Sequence, residues 1–108
     1  MIQRVDSKVD ADTTIYLFSH GSTGVEGILR IDIDGYIMSL FVQEEARGKG
    51  IGTELMQTAF AVLREIGKST VGLSVHHDNH RARALYERLG FLPYMPGHDG
   101  YTQFVKVL

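Results

Sequence analysis

The chain contains no cysteine and only two prolines, Pro93 and Pro96, in 108 residues. Without cysteine there is no disulfide, no thiolate metal site and no cysteine nucleophile. With so little proline, and no repeat or low-complexity tract, nothing marks a domain boundary, so one domain over residues 1–108 is expected. No apolar run approaches about 18 residues, and no secretory pattern follows Met1. The expectation is a soluble cytoplasmic protein without a membrane partner. An excess of positive charge is also missing: 11 Lys and Arg stand against 13 Asp and Glu, for a formal net charge of -2. That balance argues against a general nucleic-acid binder. What is present is ordinary for a globular protein: 44% hydrophobic and 22% charged residues.

The polar stretch Met1 to Asp12 reads as a loosely held start or a short strand at Ile2 to Val5. Thr13 to Phe18 is β-branched and aromatic, which predicts a strand. "SHGSTG" predicts a turn. Val25 to Ile33 alternates, with Ile31 and Ile33 on one face and Arg30 and Asp32 on the other. Asp34-Gly35 fits a hairpin turn. Tyr36 to Val42 is almost wholly apolar and predicts a central strand buried on both faces. Ile51, Leu55, Ala59, Val62 and Ile66 recur at helical spacing, and Gly67 stops that helix. Thr70 to Val75 is the next strand, and a strand–helix–strand unit implies a parallel pair. Asp78 or Asn79 can cap a second helix with Ala82, Leu85, Tyr86 and Leu89 on its apolar face and Gly90 at its end. Phe91 to Met95 and Tyr101 to Val107 close the chain as strands around "PGHDG". The predicted fold class is α/β: a mixed, mostly antiparallel sheet with a central parallel pair and two helices.

The segment "ARGKGIGT" opens the first helix with residues that disfavour helix, since glycine costs about 1 kcal/mol relative to alanine. A helix N-terminus exposes unpaired N–H groups and partial positive charge, and glycine lets a ligand approach the backbone. Arg47 and Lys49 add cations. The combination predicts a cradle for a pyrophosphate-like group; the plainer alternative is a tight strand–helix turn. The G-x-G-x-G spacing is not the G-x-G-x-x-G of dinucleotide-binding folds. "GKST" at Gly67 to Thr70 is not a P-loop, because Val62 stands where that motif needs glycine.

Arg47-x-x-Gly50-x-Gly52, following an apolar strand, resembles the Q/R-x-x-G-x-G/A signature of the GNAT superfamily, the acetyl-CoA-dependent N-acetyltransferases. Asn79 to Phe91, "NHRARALYERLGF", resembles that family's N-x-x-A-x-x-x-Y-x-x-x-G-F segment. The likeness runs from about Ile31 to Leu108. It implies acetyl-CoA as cosubstrate, with no metal, and a sheet splayed between the strands ending at Val42 and Val75. It further implies that backbone groups of Phe41 and Val42 pair with the pantetheine arm. Arg47, Gly48, Lys49, Gly50, Ile51 and Gly52, with Thr53, would hold the pyrophosphate. Asn79 would lie along the cofactor, and Tyr86 would bind beside the sulfur. The family's two helices between its first and second strands have no counterpart, roughly 30 to 40 residues less than the usual domain. The resemblance is therefore to a short, N-terminally truncated member, with an open acceptor side that suits a protein or other large substrate. A homodimer could cover the bare sheet.

Acetyl transfer to an amine releases a thiolate, and a thiol of pKa about 8.5 leaves best when a proton arrives with it. Tyr86 matches the position from which the family supplies that proton; its plainer reading is a core aromatic. The resemblance implies that a primary amine of the acceptor attacks directly in a ternary complex. The family often places a glutamate base at the position of Tyr36, so the base falls to Asp34, Glu26, His76 or water. "HHDNH", His76 to His80, has metal-ligand residue types, yet adjacent strand residues His76 and His77 should point apart, so no metal is expected. Arg81, Arg83 and Arg88 are either a solvated helix face or partners for the cofactor's 3'-phosphate. The competing reading is a non-catalytic acyl-CoA-binding or protein-interaction module of the same fold.

Overall fold

Alternation becomes strand almost from the first residue. In the computed structural model, which describes residues 1–9 and 12–108, β1 spans Ile2–Val9 and pairs along its whole length with β2, Asp12–Gly21. The polar start is thus an edge strand. Partners on one side only are enough to hold it, and its charged side chains suit an edge. Asp10 and Ala11 lie outside the described residues. β2 runs on through Ser19 and His20, and the turn shrinks to Ser22 and Thr23 ahead of β3, Gly24–Asp32. β4 is Tyr36–Val42, reached through Gly35 at φ 99°, with its N–H donating to the Asp32 carbonyl at 3.0 Å.

A 3-10 turn, Glu44–Ala46, leads to the glycine loop and to α1, Ile51–Glu65. β5 is Thr70–His76, α2 is His80–Arg88, and β6, Leu92–Pro96, and β7, Tyr101–Val107, end the chain. The seven strands form one sheet in the order β1-β2-β3-β4-β5-β7-β6. All neighbours are antiparallel except β4 and β5, as expected from the helical crossover.

The core lies on one face. Leu17, Leu29, Ile31, Ile37, Leu73 and Phe104 meet Leu55, Met56, Ala59, Phe60 and Leu63 of α1. The buried stripe of α1 is wider than the four-turn series read from the sequence, because Met56, Phe60 and Leu63 fill its flank. Ile66 leaves that series; it sits past the helix end and is exposed, with Gly67 at φ 91° turning the chain away.

The opposite face carries no helix among the described residues. This corrects the expectation for β4: it is not buried on both faces, since Met38 is 46% and Phe41 55% exposed. The second cause is a bulge. Arg30 pairs with Ser39 and Ile31 with Ile37, which leaves Met38 as an extra residue that bends the strand.

Candidate active site

The β4–β5 ladder contains one Cα pair, Tyr36↔Gly72. Beyond it the bulged β4 and the straight β5 diverge toward their C-terminal ends, so the sheet splits there. The splay implied by the family resemblance is present in this form. On the helix side of the split, a cleft of about 720 Å³ runs between the end of β4, the glycine loop, the first turn of α1 and the side of α2.

The loop explains its own glycines. Gly48 and Gly50 hold φ 80° and 81°, left-handed values that a side chain resists. Gly50 is the N-cap of α1 and no side chain caps the helix, which leaves its first N–H groups open toward the cleft. Gly52 differs: a Cβ there would lie 3.7 to 3.8 Å from Leu85, Leu40 and Val42, ordinary contact distance, so packing among these residues leaves room for a methyl group. Asn79 caps α2, its side-chain oxygen accepting from the Ala82 N–H at 3.2 Å, and also lines the cleft.

Of the residues singled out from the sequence, Phe41, Val42, Arg47, Gly48, Gly50, Ile51, Gly52, Thr53, Asn79 and Tyr86 all border this cleft. Lys49 does not. Arg47 folds back, its Nε donating to the Val42 carbonyl at 3.1 Å, so that carbonyl is engaged. Arg81 and Arg88 line the cleft, whereas Arg83 turns away to pair with Glu87 at 3.2 Å and to lie over the Phe104 ring. Leu40, Ala46, Ala82, Ala84 and Leu85 complete the walls. Ala82 and Leu85, read from the sequence as core, are only half-buried because they face the cleft.

Tyr86 is 9% exposed, with its ring edge-on to Phe91 at 5.8 Å. Burial raises its hydroxyl pKa above the ordinary tyrosine value, so it stays protonated at neutral pH. A protonated hydroxyl at the wall of an apolar cleft suits a proton donor.

The base candidates are not gathered there. Asp34 sits in the β3–β4 turn, at the opposite end of β4 from the loop, beside Arg4 and Lys68. The Glu26 side chain lies over Gly21. His76 ends β5 on the open face, edge-on to Tyr101 at 5.0 Å. His76 and His77 do not point apart: their rings stack at 4.4 Å, because β5 ends at His76 and its alternation ends with it. Asp78 Oδ1 lies 3.2 Å from His77 Nε2, and His77 Nδ1 contacts the Gly100 carbonyl at 3.0 Å, so polar contacts tie this junction together. One pair escaped the sequence reading. The Tyr36 hydroxyl hydrogen-bonds the Ser74 hydroxyl across the split, and no spacing rule links residues on two strands so far apart in the chain.

Residues 23–91, more than half of the chain, match the family model of the acetyltransferase (GNAT) family, and the chain belongs to that family. It is 42% identical over 60 residues to N-alpha-acetyltransferase 30 of Schizosaccharomyces pombe, covering 56% of this chain and 40% of that one. It is 48% identical over 59 residues to mycothiol acetyltransferase of Beutenbergia cavernae, covering 55% of this chain and 20% of that one. The chain therefore spans less than half the length of both relatives. The crystal structure of the PaiA N-acetyltransferase of Thermoplasma acidophilum, in complex with coenzyme A, shares the fold at a TM-score of 0.83 and 19% identity, over 88% of this chain and 61% of that one. No described helix is long and apolar enough to cross a membrane.

Proposed function

We propose that this chain transfers an acetyl group from acetyl-CoA to a primary amine of low basicity, such as the α-amine of a peptide, by direct attack in a ternary complex. The observation that carries this reading is the uncapped, glycine-opened N-terminus of α1 at one end of a cleft whose other wall holds the buried Tyr86 hydroxyl. The helix N-terminus and Arg47 suit a pyrophosphate, Arg81 or Arg88 a further phosphate, and the half-buried apolar wall a pantetheine arm. When bound, acetyl-CoA supplies the acyl group and the thiolate leaving group. Tyr86 would give its proton to the departing sulfur, and the proton that the amine nitrogen loses would return through solvent to restore the phenol.

The acceptor class follows from what it costs to free the lone pair of the amine. Deprotonating a lysine-like amine at pH 7 costs about 4.6 kcal/mol, and an α-amine only about 1 kcal/mol. The α-amine is thus the acceptor that least needs a dedicated base. The similarity to N-alpha-acetyltransferase 30 points the same way. The test is thiol release from acetyl-CoA in the presence of a leucine-first peptide or of spermidine. Turnover with the peptide and little with spermidine is expected; the reverse preference would overturn the acceptor class.

A further inference from the structure

Of the motif "HHDNH", Asn79 caps α2 and lines the cleft. The two histidines and the aspartate before it stand outside the cleft. They occupy the turn where β5 passes into α2, with Gly100 of the β6–β7 turn against them. Because β5 ends at His76, the two rings stack at 4.4 Å instead of projecting from opposite faces. The separation that argued against a metal is therefore absent. Gly100 makes room for both rings: a Cβ there would lie 2.7 Å from His77 Nδ1 and 3.2 Å from His76 Nε2.

Hydrogen bonding fixes the tautomer of His77. Its Nδ1 lies 3.0 Å from the Gly100 carbonyl, which only accepts, so Nδ1 carries the hydrogen. In a neutral ring Nε2 then holds a lone pair. That lone pair meets Asp78 Oδ1 at 3.2 Å, and a carboxylate oxygen has only lone pairs to offer. Beside them, His76 Nδ1 accepts the Asp78 N–H at 3.2 Å and stands 3.8 Å from Asp78 Oδ2. Electron-rich atoms of three side chains thus converge, and positive charge between them relieves the repulsion. A proton on His77 would serve one of these contacts, whereas a metal ion would serve them all.

The dimensions suit an ion. One ligand atom from each of the three residues lies within 4.8 Å of the others. Two ligands at about 2.1 Å from one late first-row ion stand at most about 4.2 Å apart. Closing the difference takes about 0.6 Å, and Asp78, 78% exposed, is free to swing inward. The 3.2 Å between His77 Nε2 and Asp78 Oδ1 already matches neighbouring ligands of one ion. The His77 Nδ1–H on the Gly100 carbonyl is the outer contact that holds a metal-bound histidine in orientation. Two imidazoles and a carboxylate favour Zn²⁺, Ni²⁺ or Cu²⁺ over Mg²⁺ or Ca²⁺.

We propose that His76, His77 and Asp78 bind a late first-row divalent cation at the junction of β5 and α2. The site does not depend on the acetyltransferase reading. The test titrates untagged protein with zinc chloride by calorimetry, with magnesium chloride as control, beside His76→Ala, His77→Ala, Asp78→Asn and His20→Ala. Expected is one Zn²⁺ per chain at micromolar affinity for the wild type and for His20→Ala, and no binding of Mg²⁺. Each of the other three variants should lose about tenfold or more in Zn²⁺ affinity. Zn²⁺ should also raise the unfolding midpoint of the wild type, because an ion that binds only the folded chain stabilises it. Should His77→Ala fail to fold by circular dichroism, His77→Gln, which keeps a polar side chain without an imidazole, takes its place. A wild type that binds no Zn²⁺ would overturn the proposal and leave the cluster an imidazolium–carboxylate pair. Equal binding by the wild type and the three cluster variants would overturn it too, by placing the ion elsewhere.

Discussion

Tyr86 is where local environment and chemistry meet most closely. It is buried against Phe91, and burial raises its pKa, so the folded protein holds a neutral phenol where the unfolded chain would ionise near pH 10. A raised folded-state value means that its stabilising contribution is fully present below about pH 10 and is lost as pH rises through the folded value. Denaturant unfolding of the wild type should therefore lose more stability between about pH 9 and 11 than that of Tyr86→Phe. The same substitution should lower turnover by about a hundredfold or more while leaving acetyl-CoA affinity near wild type, measured by thiol release and calorimetry. Gly50 makes a second residue-scale case. An alanine at φ 81° would meet no clash, since nothing lies within 4 Å of its Cβ, yet the left-handed backbone should cost about 1 to 2 kcal/mol. Gly50→Ala should lower the unfolding midpoint by several degrees and weaken acetyl-CoA binding as well.

Elements, more than single residues, decide what a sequence reveals. The two helices were legible because their stops and caps are local: Gly67 and Gly90 take positive φ, and Asn79 bonds the Ala82 N–H. Asn79→Ala should cost about 1 kcal/mol, read as a fall of a few degrees in the unfolding midpoint. The glycine loop was legible because its residues are contiguous and their helix-breaking character calls for a reason. The character of β4 was not. An apolar run reads as a strand covered on both sides, but the bulge at Met38 comes from pairing with β3, and the open face from the absence of a helix above it among the described residues. Both are tertiary facts. The Tyr36–Ser74 bond belongs with them, since only the parallel register of β4 and β5 brings the two together. The half-burial of Ala82 and Leu85 was hidden for a related reason: helical periodicity marks an apolar face without saying whether protein or ligand covers it.

For the whole molecule, charge is distributed unevenly. The net charge is -2, yet Arg47, Arg81 and Arg88 all border the cleft. A local positive field on an acidic protein predicts that acetyl-CoA affinity falls several-fold as salt rises from about 0.05 to 0.5 M, checked by calorimetry. On the acetyltransferase function proposed above, the split sheet would give one path: cofactor from the helix side, acceptor from the open side. The most direct test of this account is the unfolding midpoint of the purified protein with acetyl-CoA, with ATP and without ligand. Acetyl-CoA at about 100 times its dissociation constant should stabilise by about 2.7 kcal/mol, a rise of roughly 10 °C, with no comparable rise from ATP. An equal rise with both would make the cleft a general phosphate site, and no rise with acetyl-CoA would contradict the account at its centre.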